Sequence, residues 1–248
     1  MKIALVVAYD GTDFHGFARQ PDVRSVQGVL DDRLTALLRA PVSTTGAGRT
    51  DAGVHANGQV VSFSAREGTR PEWVCERLNR WLAPEILVRA AAEVPDTFDA
   101  RFSAVRRSYE YRAYLGDAPD PFRDRFALHV LSPVSVPKMR VGVRALVGEH
   151  DFTSYCRRGQ GGPVRRVRSI RIVPAGSDIT FKVSADSFCH QMVRSIVGML
   201  LEVGRGRRAV EDVERALAAR DRAAAGPVAP ARGLHFMEVG YPRNPFAR

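Results

Sequence analysis

An unbroken apolar run at residues 3–8 stands near the start of the chain and predicts a strand buried on both faces. The period then lengthens. Val26, Val29, Leu30, Leu34, Leu37 and Leu38 recur at helical spacing behind Ser25, a residue type that caps helix N-termini. A short strand is expected over residues 42–45, then a glycine-rich loop, then a strand over 59–64. Pro71 opens a helix whose apolar face is Val74, Leu78, Trp81 and Leu82, and a strand over 86–91 closes this half.

The order β-α-β-β-α-β is the split, ferredoxin-like arrangement, and the second half repeats it with insertions. Residues 105–115 alternate as a strand with Tyr109, Tyr111, Ala113 and Leu115 on one face. A helix is expected over 138–147. Strands follow over 167–173 and 179–185, the second with Ile179, Phe181, Val183 and Ala185 on one face. Val193, Ile196, Val197 and Leu200 mark an amphipathic helix. A helix over 210–219 precedes a last strand over 234–239, with Pro227 and Pro230 at the turn into it. The fold class expected is α+β, two ferredoxin-like halves (1–103 and 104–248) joined into a mainly antiparallel sheet with a central cleft. Such a junction is a usual place for a ligand. The boundary near residues 101–104 shows no linker and is expected to be tight.

A chain of 248 residues with 45% hydrophobic and 26% charged residues has the make-up of an ordinary globular protein, which excludes dominant disorder. Its net charge of +10 changes the picture, because Lys and Arg neutralise phosphates and release counterions. Arginine greatly outnumbers lysine. The clusters Arg157-Arg158, Arg165-Arg166-Val167-Arg168 and Arg205-Gly206-Arg207-Arg208 all lie in the second half, where they favour a basic surface. Singly, each would be a solvated face. Cys75, Cys156 and Cys189 show no zinc-ligand spacing, so reduced cytosolic thiols and no structural metal are expected. The apolar run at the start is too short for a membrane segment.

The most unusual stretch is Gly46-Ala47-Gly48-Arg49-Thr50-Asp51-Ala52-Gly53-Val54-His55-Ala56. Glycines allow a close backbone approach and positive φ, and so hold Arg49 and Asp51 in a fixed position. The alternative is a polar turn whose aspartate satisfies backbone N–H groups. A P-loop is excluded, since the stretch has no Gly-Lys-Ser/Thr ending.

Here GRTDAGVHA resembles the catalytic signature of the TruA family of tRNA pseudouridine synthases. Further stretches match in the family's order: YDGTDFHGFARQ from Tyr9, RSVQ from Arg24, LNRWLAPEI from Leu78 and FDARFSAVRRSYEYRAY from Phe98. GEHDFTSY from Gly148, FCHQMVRSIVGMLLEVG from Phe188 and GPVAPARGL from Gly226 complete the set. Gly16-Phe17-Ala18 departs from the family's frequent Gly-Trp-Gln, which bears on a nucleotide contact.

The resemblance implies Asp51 as the nucleophile and Arg194 as its cationic partner, since a nearby cation favours the ionised form. It implies that Tyr109 stacks on the flipped uracil and helps manage the proton at carbon 5. Arg49 is implied to bind phosphate or hold the flipped nucleotide, with His55 lining the same loop. The alternative for both is that they order the turn. The implied substrate is tRNA, at uridines 38, 39 and 40 of the anticodon stem-loop, bound by a cytoplasmic homodimer. No cofactor is expected, because isomerisation needs no redox partner or group donor. The rival reading is a basic RNA-binding protein without catalysis, but no aromatic RRM-type sheet motif supports it.

Overall fold

The computed structural model describes residues 1–131, 133–157 and 162–247, so Arg158 of the first basic cluster lies outside the described residues. The chain divides into two units. Met1–Val105 with Phe236–Arg248 make the first, and Arg106–His235 the second. The sequence-based division at 103/104 kept the carboxy-terminal strand with the second half, whereas from Phe236 onward it clusters with the first.

The first unit runs β1 (Lys2–Tyr9), α1 (Val26–Leu38), β2 (Thr45–Gly46), β3 (His55–Ser64), α2 (Pro71–Leu82) and β4 (Ile86–Val94). β1 lies between β4 and β3, antiparallel to both. Ile3, Ala4, Leu5 and Val7 are wholly buried, as expected of a strand covered on both faces. Val60, on β3, forms a buried cluster with Ala47 and Ala100, against which Phe98, Val239 and Tyr241 pack. Ser25 caps α1 by accepting from the Gly28 N–H.

The strand expected over 42–45 is reduced to the two residues of β2, and α1 supplies the reason. Gln27, Asp31 and Thr35 share one helix face four residues apart. Thr35 Oγ1 accepts from the Val42 N–H, Asp31 Oδ1 accepts from both the N–H and hydroxyl of Thr44, and Gln27 donates to the Thr44 carbonyl. Backbone groups that a ladder would have used are already satisfied. In α2, Val74, Leu78 and Leu82 are buried, but Trp81 is half exposed.

The second unit runs β5 (Arg106–Leu115), β6 (Leu128–Val130), α3 (Val136–Val143), β7 (Gly148–Asp151), β8 (Val164–Ala175), β9 (Asp178–Ala185), α4 (Met192–Gly204) and α5 (Asp212–Ala219). Its strand order is β5-β9-β8-β7, antiparallel throughout, with β6 parallel to β5. α3 begins two residues before its expected start, because Ser135 caps it by accepting from the Lys138 N–H and Pro137 is tolerated in the first turn. α4 stands where expected, and eleven of its thirteen residues are buried, Val193, Ile196, Val197 and Leu200 among them. β10 (Leu234–Gly240) passes beside β3, where the Met237 carbonyl leaves no room for a side chain at Gly58.

The expectation of separate reduced thiols is corrected by one pair. Cys156 and Cys189 meet as a disulfide with Cα atoms 5.8 Å apart, well inside the range a disulfide spans, while Cys75 is unbridged. Thirty-three residues separate them, and no sequence spacing announces such a pairing. Protein purified without reductant and then denatured should titrate as one thiol per chain, rising to three after reduction. Three thiols before reduction would mean that the two sulfurs lie together unbonded.

Candidate active site

The loop between β2 and β3 carries Arg49, Asp51 and His55, and two neighbouring parts of the first unit hold it. The first is segment 10–17. A side chain at Gly11 would sit 2.0 Å from the Val54 carbonyl oxygen, and Gly16 has φ +92° with a carbonyl oxygen 2.8 Å from the same test position. Only glycine permits that approach. The Phe17 N–H donates to the Thr50 carbonyl at 3.0 Å. The Phe17 ring is buried over Gly46, so the departure from Gly-Trp-Gln falls on a residue that seats the loop.

The second hold comes from the strands. The Ala47 N–H donates to the Val60 carbonyl at 2.8 Å. Gln59, fully buried in β3, donates from Nε2 to the Gly48 carbonyl at 2.6 Å and accepts from the Gly48 N–H at 3.3 Å. Tyr9 and Thr50 share a hydroxyl–hydroxyl hydrogen bond of 2.8 Å. Burial pushes the Tyr9 phenol up to about 12, against hydrogen bonds from Thr50 and Gln59 that lower it. Nothing in the sequence marks Tyr9 or Gln59 as a site residue, beyond the setting of a glutamine in the apolar run Gln59-Val60-Val61.

On this loop Arg49 is exposed and Asp51 half-buried. His55 is buried at the start of β3, with Nδ1 accepting from the Gly11 N–H at 3.1 Å and lying 3.2 Å from Asp10 Oδ1. Its contacts tie segment 10–11 to the loop.

The second unit carries Tyr109 and Arg194. Tyr109 lies on β5, largely buried, with its ring edge-to-face on Phe188 at 5.1 Å. Arg194, in the first turn of α4, donates from Nε to the Ala229 carbonyl at 2.8 Å, and its own carbonyl accepts the Ala229 N–H at 3.1 Å. Tyr111, two residues on from Tyr109, donates to the Pro230 carbonyl at 2.9 Å, and burial holds its phenol far above the ordinary range. β5, α4 and segment 229–230 are thus bound into one support.

The basic clusters differ in how much charge they leave unmatched. Arg205 and Arg207 both pair with Glu202, and Arg168 pairs with Asp186. Arg157, Arg166 and Arg171 lie exposed. Among the described residues, no group of three or more His, Cys, Asp or Glu has the arrangement of a metal site, and no helix is long and apolar enough to cross a membrane.

Residues 5–103 and 143–242 match the family described as tRNA pseudouridine synthase. Proteins named tRNA pseudouridine synthase A resemble the chain nearly end to end. That of Halalkalibacterium halodurans is 40% identical over 94% of this chain and 90% of its own length. That of Jannaschia sp. is 43% identical over 99% and 97%, and that of Syntrophotalea carbinolica 41% over 96% of each.

Proposed function

Because the chain belongs to the family of tRNA pseudouridine synthases, we propose that it isomerises uridine to pseudouridine in tRNA with Asp51 as the nucleophile. The bond between carbon 1' and the base nitrogen breaks, the base turns, and carbon 5 takes the place of that nitrogen. Carbon 5 gives up its hydrogen and the nitrogen gains one, so no electrons enter or leave. A carboxylate serves this either by bonding to carbon 1' or by assisting a glycal route.

The observation that supports Asp51 in this part is its seat. It stands on a glycine loop whose flanking residues are tied by buried hydrogen bonds, and nucleophilic catalysis rewards such fixed placement. Tyr109 stacks on the turned-out uracil and manages the proton at carbon 5. Arg194 is the cation that serves the carboxylate. Arg49, exposed beside Asp51, takes a phosphate, and His55 orders the loop from beneath. Extracting a base from a stem costs a few kcal/mol, offset by stacking and by phosphate contacts. The exposed Arg157, Arg166 and Arg171 have the chemistry for such contacts. The targets are uridines 38, 39 and 40 of the anticodon stem-loop, and the working form is a cytoplasmic homodimer.

The test is tritium release from tRNA transcripts labelled at carbon 5 of uridine. Release is expected from transcripts carrying uridines at 38 to 40 and none from transcripts with cytidine there. Persistent release from the second set would sink the positional assignment. No release from either, with binding confirmed, would leave a basic RNA-binding protein.

A further inference from the structure

The loop from Ala47 to Asp51 is fastened at Ala47, Gly48 and Thr50. Gly48 is held through both its backbone groups by one side chain, and Thr50 is held by its hydroxyl to Tyr9 and by its carbonyl to the Phe17 N–H. Arg49 stands between these two holds, and Asp51 follows directly after the second. A residue that fastens Gly48 and the strand behind it therefore sets where the carboxylate stands.

We propose that Gln59 is a positioning residue of the reaction, acting with Tyr9 to fix the height and direction of the Asp51 loop. The inference rests on the reading of Asp51 as nucleophile. Gln59 occupies a position with no solvent exposure on β3. Its amide nitrogen faces the Gly48 carbonyl at 2.6 Å, and its amide oxygen faces the N–H groups of Gly48 at 3.3 Å and Val60 at 3.2 Å. The side chain thus imitates one rung of a β-ladder just beyond the Ala47–Val60 backbone hydrogen bond. Few side chains offer a donor and an acceptor together at this reach. Leucine and methionine offer no donor, ionised glutamate offers only acceptors, and asparagine is one methylene short.

Burial also explains the economy of the arrangement. An amide placed here must be satisfied on both ends or it destabilises the core, and the two ends meet the same glycine. Tyr9 completes the hold from β1. Its hydroxyl meets Thr50 Oγ1, and its ring packs 6.4 Å from that of Phe17.

The chemistry of glutamate supplies a test that a merely structural role would not satisfy. Gln59→Glu has the same shape. When protonated, its O–H can donate to the Gly48 carbonyl; when ionised, it opposes that carbonyl with negative charge. A carboxyl buried here is pushed up in pKa, so the variant should switch within the pH range where the enzyme is assayed. Single-turnover rates, tRNA Kd values and melting temperatures are to be measured for wild type, Gln59→Glu, Gln59→Met and Tyr9→Phe between about pH 5 and pH 8.

The ratio of the Gln59→Glu rate to the wild-type rate is expected to rise at least about tenfold as pH falls across that range. Gln59→Met should be about 100-fold slow at every pH, since misplacement of about 1 Å costs that order of rate. Tyr9→Phe should be slower with the same pH dependence as wild type. Kd should stay within about threefold throughout. A wild-type rate in Gln59→Met would overturn the proposal. So would a flat Gln59→Glu ratio with rate, Kd and melting temperature falling together, which is the signature of general destabilisation. Failure of the underlying reading shows elsewhere, as turnover in Asp51→Asn.

Discussion

Asp51→Asn is expected to reduce tritium release from C5-labelled tRNA by about 10⁴-fold or more, leaving tRNA Kd within about threefold and the melting temperature nearly unchanged. Asparagine keeps the size of aspartate and one of its acceptor oxygens, so any backbone hydrogen bond that the side chain accepts can survive. What it loses is the charged oxygen that serves either as nucleophile at carbon 1' or as the base of a glycal route. Removing a nucleophile from an enzyme commonly costs several powers of ten, each worth about 1.4 kcal/mol of barrier. Binding should survive because it draws on phosphate contacts from exposed arginines and not on the carboxylate of residue 51. Loss of folding and binding together with rate would show that the aspartate orders the turn and nothing more. That was the alternative open to the sequence.

The largest effect on stability is expected from Gly198→Ala, with a loss of about 3 kcal/mol or more and a melting temperature lower by roughly 6–12 °C. Gly198 lies inside α4, where alanine would ordinarily help a helix by about 1 kcal/mol. Here the added carbon would stand 1.8 Å from the Pro227 carbonyl oxygen and 2.9 Å from its carbon, both backbone atoms. Neither can swing aside as a side chain would, so segment 227–229 must lift from the helix. That segment includes Ala229, which Arg194 grips through both its side chain and its own carbonyl. The variant should therefore lose activity beyond its loss of stability, measured as a lower rate at temperatures where circular dichroism still reports a folded chain. A melting temperature equal to wild type would show that the segment yields at little cost.

The elements legible in the sequence are those with a strong period and a cap. α1 behind Ser25, β1 with its continuous apolar run, and β9 with its four alternating buried residues stand where expected. β6 and β7 were not foreseen. They are three and four residues long, and Gly148-Glu149-His150-Asp151 offers no apolar alternation to detect. β2 shrank because polar side chains of α1 satisfy the segment before it, a long-range exchange that local propensity does not encode. At the candidate site, the residues proposed for the chemistry are marked in the sequence by an unusual glycine loop and a family signature. Their supports are not. Gln59 and Tyr9 sit in strands whose patterns are satisfied by burial alone, and only the geometry shows which backbone groups they hold.

The order in which the first unit acquires its parts has a consequence for synthesis on the ribosome. Residues from Phe236 onward belong to that unit, with the Tyr241 hydroxyl donating to the Ala100 carbonyl and the Gly240 carbonyl accepting from the Val105 N–H. Between Val105 and these residues the whole of Arg106–His235 must be translated. At about 5–20 residues per second, that interval is on the order of ten seconds. Throughout it the nascent first unit holds the sequence of β1, β2, β3 and β4 but lacks β10, which stands next to β3 in the sheet. On that flank of β3 only the part paired by β2 is then covered. An open strand edge of that kind is a template for pairing with other chains. Until Tyr241 emerges, that edge is open to pairing with other chains.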